Sequence, residues 1–133
     1  MTFLTSLRRL AWLGTLFAAL FGGPAFAAEP LAFTPTQFAA AQQAGTPILV
    51  EISATWCSTC RTQASILEQL RAEPRFAGFQ LFKVDFDSQK DAVRGLRAQS
   101  QSTLIVYKGK KELARSVGET NPAAIASLLA KAL

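Results

Sequence analysis

The chain has 133 residues, with 14 Lys and Arg against 9 Asp and Glu, two Cys, no His, and half its residues apolar. That length suits one domain with a real core, and the missing histidine excludes a Ser-His-Asp triad, a Cys-His pair and any histidine-ligated zinc. Two thiols cannot complete a four-thiolate metal site within one chain. The formal charge of +5 comes from scattered basic residues, not from a clustered nucleic-acid patch.

The N-terminus reads as a secretory signal peptide. Arg8 and Arg9 precede an uncharged apolar run from Leu10 to Phe21, Gly22-Gly23-Pro24 interrupts any helix, and Ala25-Phe26-Ala27 offers a small-x-small cleavage site. A membrane-spanning anchor needs about 20 apolar residues, more than this run supplies. Cleavage is expected after Ala27, and no cysteine follows to carry a lipid. Leu7 before the arginines and Ala11-Trp12 after them fit a twin-arginine signal poorly, so general secretion is favoured. The expected layout is residues 1–27 as signal peptide and residues 28–133 as one domain, periplasmic or otherwise exported, with no stable membrane insertion once cleaved. Removing Arg8 and Arg9 leaves 12 basic against 9 acidic residues, a charge of +3 that implies no nucleic-acid partner. The destination is oxidising, so both cysteines act where disulfides persist.

Helix and strand signals then alternate. Thr34-Pro35 marks a helix start and Gly45 its stop. Pro47–Ser53 is a β-branched run suited to a buried central strand. Cys60, Ala64, Leu67 and Leu70 share one helical face, closed by Pro74. Phe79–Phe86 reads as a strand and Gln89–Ala98 as a helix. Thr103–Tyr107 and Glu112–Ser116 flank Lys108-Gly109-Lys110-Lys111 as a hairpin, and Asn121-Pro122 opens a helix to Leu133. The expected order is α-β-α-β-α-β-β-α.

The segment Ile48–Arg61, with Trp56-Cys57-Ser58-Thr59-Cys60 between a buried strand and a helix, resembles the active-site region of the thioredoxin family. The likeness continues through Lys83–Asp87, Thr103–Gly109 and Val117-Gly118. A lone Cys-x-x-Cys is a weak signal, but this context makes it strong. The resemblance implies an α/β, single thioredoxin-fold domain, with a central mixed β-sheet flanked by helices and no cofactor. Its activity would be thiol–disulfide exchange on protein disulfide substrates.

The chemistry also follows from position. Two thiols three residues apart at a helix start can close a disulfide. Cys57 sits where free amides and the helix dipole favour a thiolate, and Cys60 lies one turn in. Cys57 would attack a substrate disulfide and Cys60 would resolve the mixed disulfide. A structural staple is the competing reading, yet so short a loop gains only about 2 kcal/mol against about 3 for fifteen residues.

Strand alternation puts Ile48, Val50 and Ile52 on one face and Leu49, Glu51 and Ser53 on the other. The family usually has a buried aspartate at the position of Glu51, beneath the second cysteine, as its acid/base. Burial would raise the Glu51 pKa and let it take the Cys60 proton. A surface glutamate on an edge strand is the competing reading. Lys83 matches the lysine that neighbours this carboxylate. Trp56 matches a tryptophan that shields the site and offers a partner surface.

The departure is at Ser102, where the family has a cis-proline before the Thr-Leu strand. A cis bond to a non-proline residue costs about 3 kcal/mol, so Gln101-Ser102-Thr103 is either trans with a shifted loop or cis and held by packing. The groove in which a substrate strand pairs along Gln101, Ser102 and Thr103 depends on the outcome. In the family that proline also hinders metal approach, so its absence leaves open an iron–sulfur or metal-binding dimer built on four thiolates from two chains. A non-catalytic binding module is a further alternative. Ser58-Thr59 resembles neither the Gly-Pro of reducing thioredoxins nor the Pro-His of strong oxidases. With no histidine to stabilise a thiolate, and too few residues between Cys60 and Ser102 for the helical insertion of large oxidases, a reductase or isomerase-linked dithiol is favoured over an oxidant. A membrane thiol-electron transporter would be its reductant.

Overall fold

The computed structural model describes residues 27–133, so the signal peptide expected over residues 1–27 falls, all but Ala27, outside the described residues. The chain runs β1 (Leu31–Ala32), α1 (Pro35–Gln43), β2 (Pro47–Ser53), α2 (Ser58–Arg71), a 3-10 turn (Pro74–Phe76), β3 (Gln80–Asp85), α3 (Lys90–Gly95), β4 (Thr103–Lys108), β5 (Lys111–Val117) and α4 (Pro122–Ala130). The five strands form one mixed sheet in the order β1-β3-β2-β4-β5. β3 runs parallel to both β1 and β2, whereas β2–β4 and β4–β5 are antiparallel. Among the described residues no helix is long and apolar enough to cross a membrane.

Local chemistry accounts for the element ends. Thr34 caps α1 through its hydroxyl, which accepts from the Gln37 amide at 3.2 Å, and Pro35 occupies the first turn. Gly45, at φ +70°, reverses the chain after α1. The Asn121 side chain accepts from the amides of Ala123 and Ala124 to start α4. Gly109, at φ +56°, forms the tight β4–β5 turn.

Helix α4 stops at Ala130, short of the expected Leu133, and two larger departures from the sequence reading have simple causes. β1 was not expected, because two residues carry no periodicity; they become a strand only by pairing with Phe82 and Lys83. The helix expected over Gln89–Ala98 spans Lys90–Gly95 only. It ends because Arg97 adopts φ +54°, with its amide bonded to the Arg94 carbonyl and the Ala98 amide to that of Val93. That is the double closure usually built on glycine, here on an arginine that sequence would not single out.

β2 carries a core on each face. Ile48, Val50 and Ile52 pack with Phe33, Phe82, Val84 and Tyr107. Leu49 packs with Leu67, Leu70, Phe76, Phe79, Leu104 and Ile125, under α2 and α4. The alternation read from the sequence therefore holds, and it carries Glu51 toward α2 in the middle of the sheet. The edge-strand reading of Glu51 is overturned: β2 is central and Glu51 is 2% exposed.

Candidate active site

Helices α1 and α4 begin with a side-chain oxygen at the cap; α2 begins with sulfur. Cys57 is its N-cap, and the Cys60 amide donates to the Cys57 Sγ at 3.0 Å. A short oxygen side chain would cap the helix as well, so the fold gives up an ordinary cap to hold this atom at the positive end of the helix dipole. Cys57 and Cys60 are joined as a disulfide, with Cα atoms 5.3 Å apart. They pack with Ala54 against the half-buried Phe86, and both are buried, Cys60 at 3% exposure and Cys57 at 5%.

Ser102 settles the question its substitution raised. No peptide bond among the described residues is cis, and Ser102 takes φ +59°, a left-handed conformation that costs a non-glycine residue free energy. Its hydroxyl lies 3.1 Å from the Cys57 Sγ and 3.3 Å from the Cys60 Sγ. Its carbonyl accepts from the Gly118 amide at 2.8 Å and from the Gln63 side chain at 3.1 Å. Gln63 is fully buried, and the same Nε2 also donates to the Glu119 carbonyl at 3.0 Å.

The remaining expected residues divide by location. Trp56 is 60% exposed beside the cysteines, and its indole donates to the Asp87 carboxylate at 2.7 Å. Gln101 is half-buried in the loop before β4. Thr103 is buried; its backbone is paired with both Ile52 and Val117, and its hydroxyl donates to the Ser100 carbonyl. Val117, across the ladder from Thr103, adds an exposed apolar side chain near Ser102.

Glu51 and Lys83 line a surface cleft of about 740 Å³, with Ala64, Leu67 and Arg71 but neither cysteine among its other walls. Lys83 Nζ stands 3.8 Å from Glu51 Oε2, which has no hydrogen-bond partner in the protein. Burial pushes the Glu51 carboxyl above the ordinary carboxylate range, and the Lys83 ammonium and Arg71 guanidinium offset this only in part. Arg71 donates to the Ala28 carbonyl, tying the first described residues to α2.

Gln63 and Asp87 were not singled out from the sequence. Gln63 had a legible signal: it falls between Cys60 and Leu67 on the apolar face of α2, where a polar side chain must find buried partners. Asp87, an exposed acidic residue in a turn, carried none.

With this geometry established, comparison with known proteins is specific. The family model for thioredoxin matches residues 29–131. Thioredoxin-2 of Saccharomyces cerevisiae is 39% identical over 83 residues, 62% of this chain and 77% of its own, and Thioredoxin-1 of the same organism is 32% identical over 97 residues, 73% and 91%. The crystal structure of Trxlp from Edwardsiella tarda superposes with a TM-score of 0.74 at 40% identity, covering 76% of this chain and 98% of that one. The chain belongs to the thioredoxin family, and the cysteine pair at the start of α2 makes it a thiol–disulfide oxidoreductase.

Proposed function

We propose that the protein is an exported disulfide reductase in which Cys57 attacks and Cys60 resolves. One observation carries the assignment of roles: the helix amide at Cys60 points at the Cys57 sulfur, and no backbone amide donates to the sulfur of Cys60 among the contacts described. A thiolate is therefore favoured at Cys57. Cys57 thiolate attacks one sulfur of a substrate disulfide and releases the other as a thiolate. Cys60, once deprotonated, attacks Cys57 and releases the second substrate thiol, so two electrons pass to the substrate and the Cys57–Cys60 disulfide forms. Reduction by an external dithiol, here a membrane thiol-electron transporter, completes the cycle.

Glu51 is the proton acceptor for Cys60 in this reading. It is buried and short of partners, and its cleft supplies a path to solvent. Trp56 and Val117 provide the exposed apolar rim for a protein substrate, with Gln101 at its edge. Thr103 serves through its place in the ladder, since its side chain is enclosed. The reducing direction is supported by the uncharged Ser58-Thr59 pair and the absence of histidine from the whole sequence. Export is supported by the leader pattern and by a fold whose first strand starts beyond Ala28, so that cleavage leaves the domain whole.

Equilibration with glutathione tests direction. A potential near the thioredoxin value of about −270 mV supports the reductase, and one near the DsbA value of about −120 mV overturns it. Mass spectrometry of the exported protein should find an N-terminus at Ala28; an intact Met1 in the membrane fraction contradicts export. An iron-containing, visibly coloured dimer after anaerobic purification would replace thiol exchange with the shared-cluster reading.

A further inference from the structure

Gln63, Ser102 and the two sulfurs form a polar chain inside an otherwise apolar site. In the disulfide neither sulfur carries a hydrogen, so contacts at 3.1 and 3.3 Å to Ser102 Oγ are made with the hydroxyl as donor. The residue that carries the hydroxyl is enclosed and its backbone is held. Ser102 is 5% exposed, and its carbonyl is held by Gly118 and by Gln63, a side chain with no exposure at all that also grips the Glu119 carbonyl. The backbone so held is left-handed at φ +59°, a conformation that serine adopts only when its surroundings compensate.

We propose that the Ser102 hydroxyl, aimed by Gln63, is a catalytic donor that stabilises the Cys57 thiolate, with Gln63 as its positioning residue. The inference rests on the assignment of Cys57 as the attacking thiol. On reduction one electron pair enters the S–S bond, and Cys60 holds a proton as a thiol while Cys57 carries the charge. The Cys60 S–H can then donate to Ser102 Oγ, leaving the single hydroxyl hydrogen for Cys57. The order Cys60 S–H to Oγ, then O–H to the Cys57 thiolate, satisfies every group and fixes the direction of the chain. The bond to a thiolate is charge-assisted and stronger than the bond to a neutral disulfide, so the contact favours the reduced state. A ring at this position would fill the space without donating. Serine adds a tuning element to a site that lacks histidine.

The experiment compares Ser102→Ala, Ser102→Gly and Gln63→Leu, following the thiolate absorbance of Cys57 with pH and the equilibrium with glutathione at about pH 8. Both Ser102 variants should move the Cys57 titration to higher pH and shift the glutathione equilibrium about tenfold toward a more reducing protein, or about 30 mV. They should do so although their stabilities move apart, because glycine relieves the left-handed backbone and alanine does not. Gln63→Leu should give a smaller shift of the same sign. If the titration follows stability, moving oppositely in the alanine and glycine variants or in neither, the hydroxyl only fills space and the proposal fails. If the wild type shows no Cys57 thiolate at any pH where Cys60 remains protonated, the assignment of the attacking thiol fails instead.

Discussion

On the α1/α3 side of the sheet, Phe33, Phe38, Phe82 and Tyr107 pack ring against ring, with centroids 5.3 to 6.2 Å apart. On the α2/α4 side a comparable layer of Leu, Ile and Phe is interrupted by Glu51, Gln63 and Arg71, each buried and each with a side-chain atom lacking a partner in the protein. The aromatic side can be accounted for by apolar burial, edge-to-face ring contacts and strand alternation. The polar intrusions cost stability on the other side, and all of them lie on α2 or on the strand beneath it. The difference separates tasks: one face holds the sheet together, and the other tolerates strain so that α2 can present two sulfurs to a protic environment.

If that division is right, damage to the first face should be large and chemically silent. Phe82→Ala should cost about 3–5 kcal/mol in urea unfolding while leaving the Cys57–Cys60 potential of the folded protein unchanged. A shifted potential would mean the two faces are coupled.

Ser102→Pro comes next. Proline requires φ near −65°, whereas Ser102 sits at +59°, so the substitution should cost about 2–3 kcal/mol and lower reductase activity. A variant that folds as well as the wild type and stays fully active would show that the loop readily changes to another conformation.

Glu51→Gln should act in the opposite direction on stability. A carboxyl whose pKa is raised by folding contributes fully below its ordinary value and loses that contribution as pH rises through the folded one. The variant should therefore be more stable than wild type at neutral pH, by about 1 kcal/mol, with the gap closing in acid. It should also slow resolution of the mixed disulfide more than the first attack. Equal slowing of both steps would remove Glu51 from the mechanism.

The smallest effect is expected at Asp87. Its bond to Trp56 is at the surface, so Asp87→Ala should change stability by less than about 0.5 kcal/mol. Trp56 is the sole tryptophan of residues 28–133, and its fluorescence anisotropy should fall as the indole is released. Unchanged anisotropy would show that packing alone holds the ring.

Strong periodicity explains what could be read ahead of the structure. β2 matches the expected Pro47–Ser53, because alternation, β-branching and a flanking glycine all agree there. The cysteine pair was legible from its spacing and its Trp flank, and the burial of Glu51 from strand parity. What escaped was set by non-local pairing. β1 exists only through β3, α3 stops at a left-handed arginine, and the role of Gln63 depends on a carbonyl 39 residues away. The geometry of Ser102 could not be read at all, since serine has no strong preference and the loop is fixed by Gly118 and Gln63.

Trapping tests the central claim most directly. Cys60→Ser should accumulate mixed disulfides through Cys57 when mixed with a protein disulfide, and Cys57→Ser should accumulate none and reduce nothing. Mixed disulfides captured by Cys57→Ser through Cys60 would reverse the roles and contradict the account of Cys57 as the thiolate that caps α2.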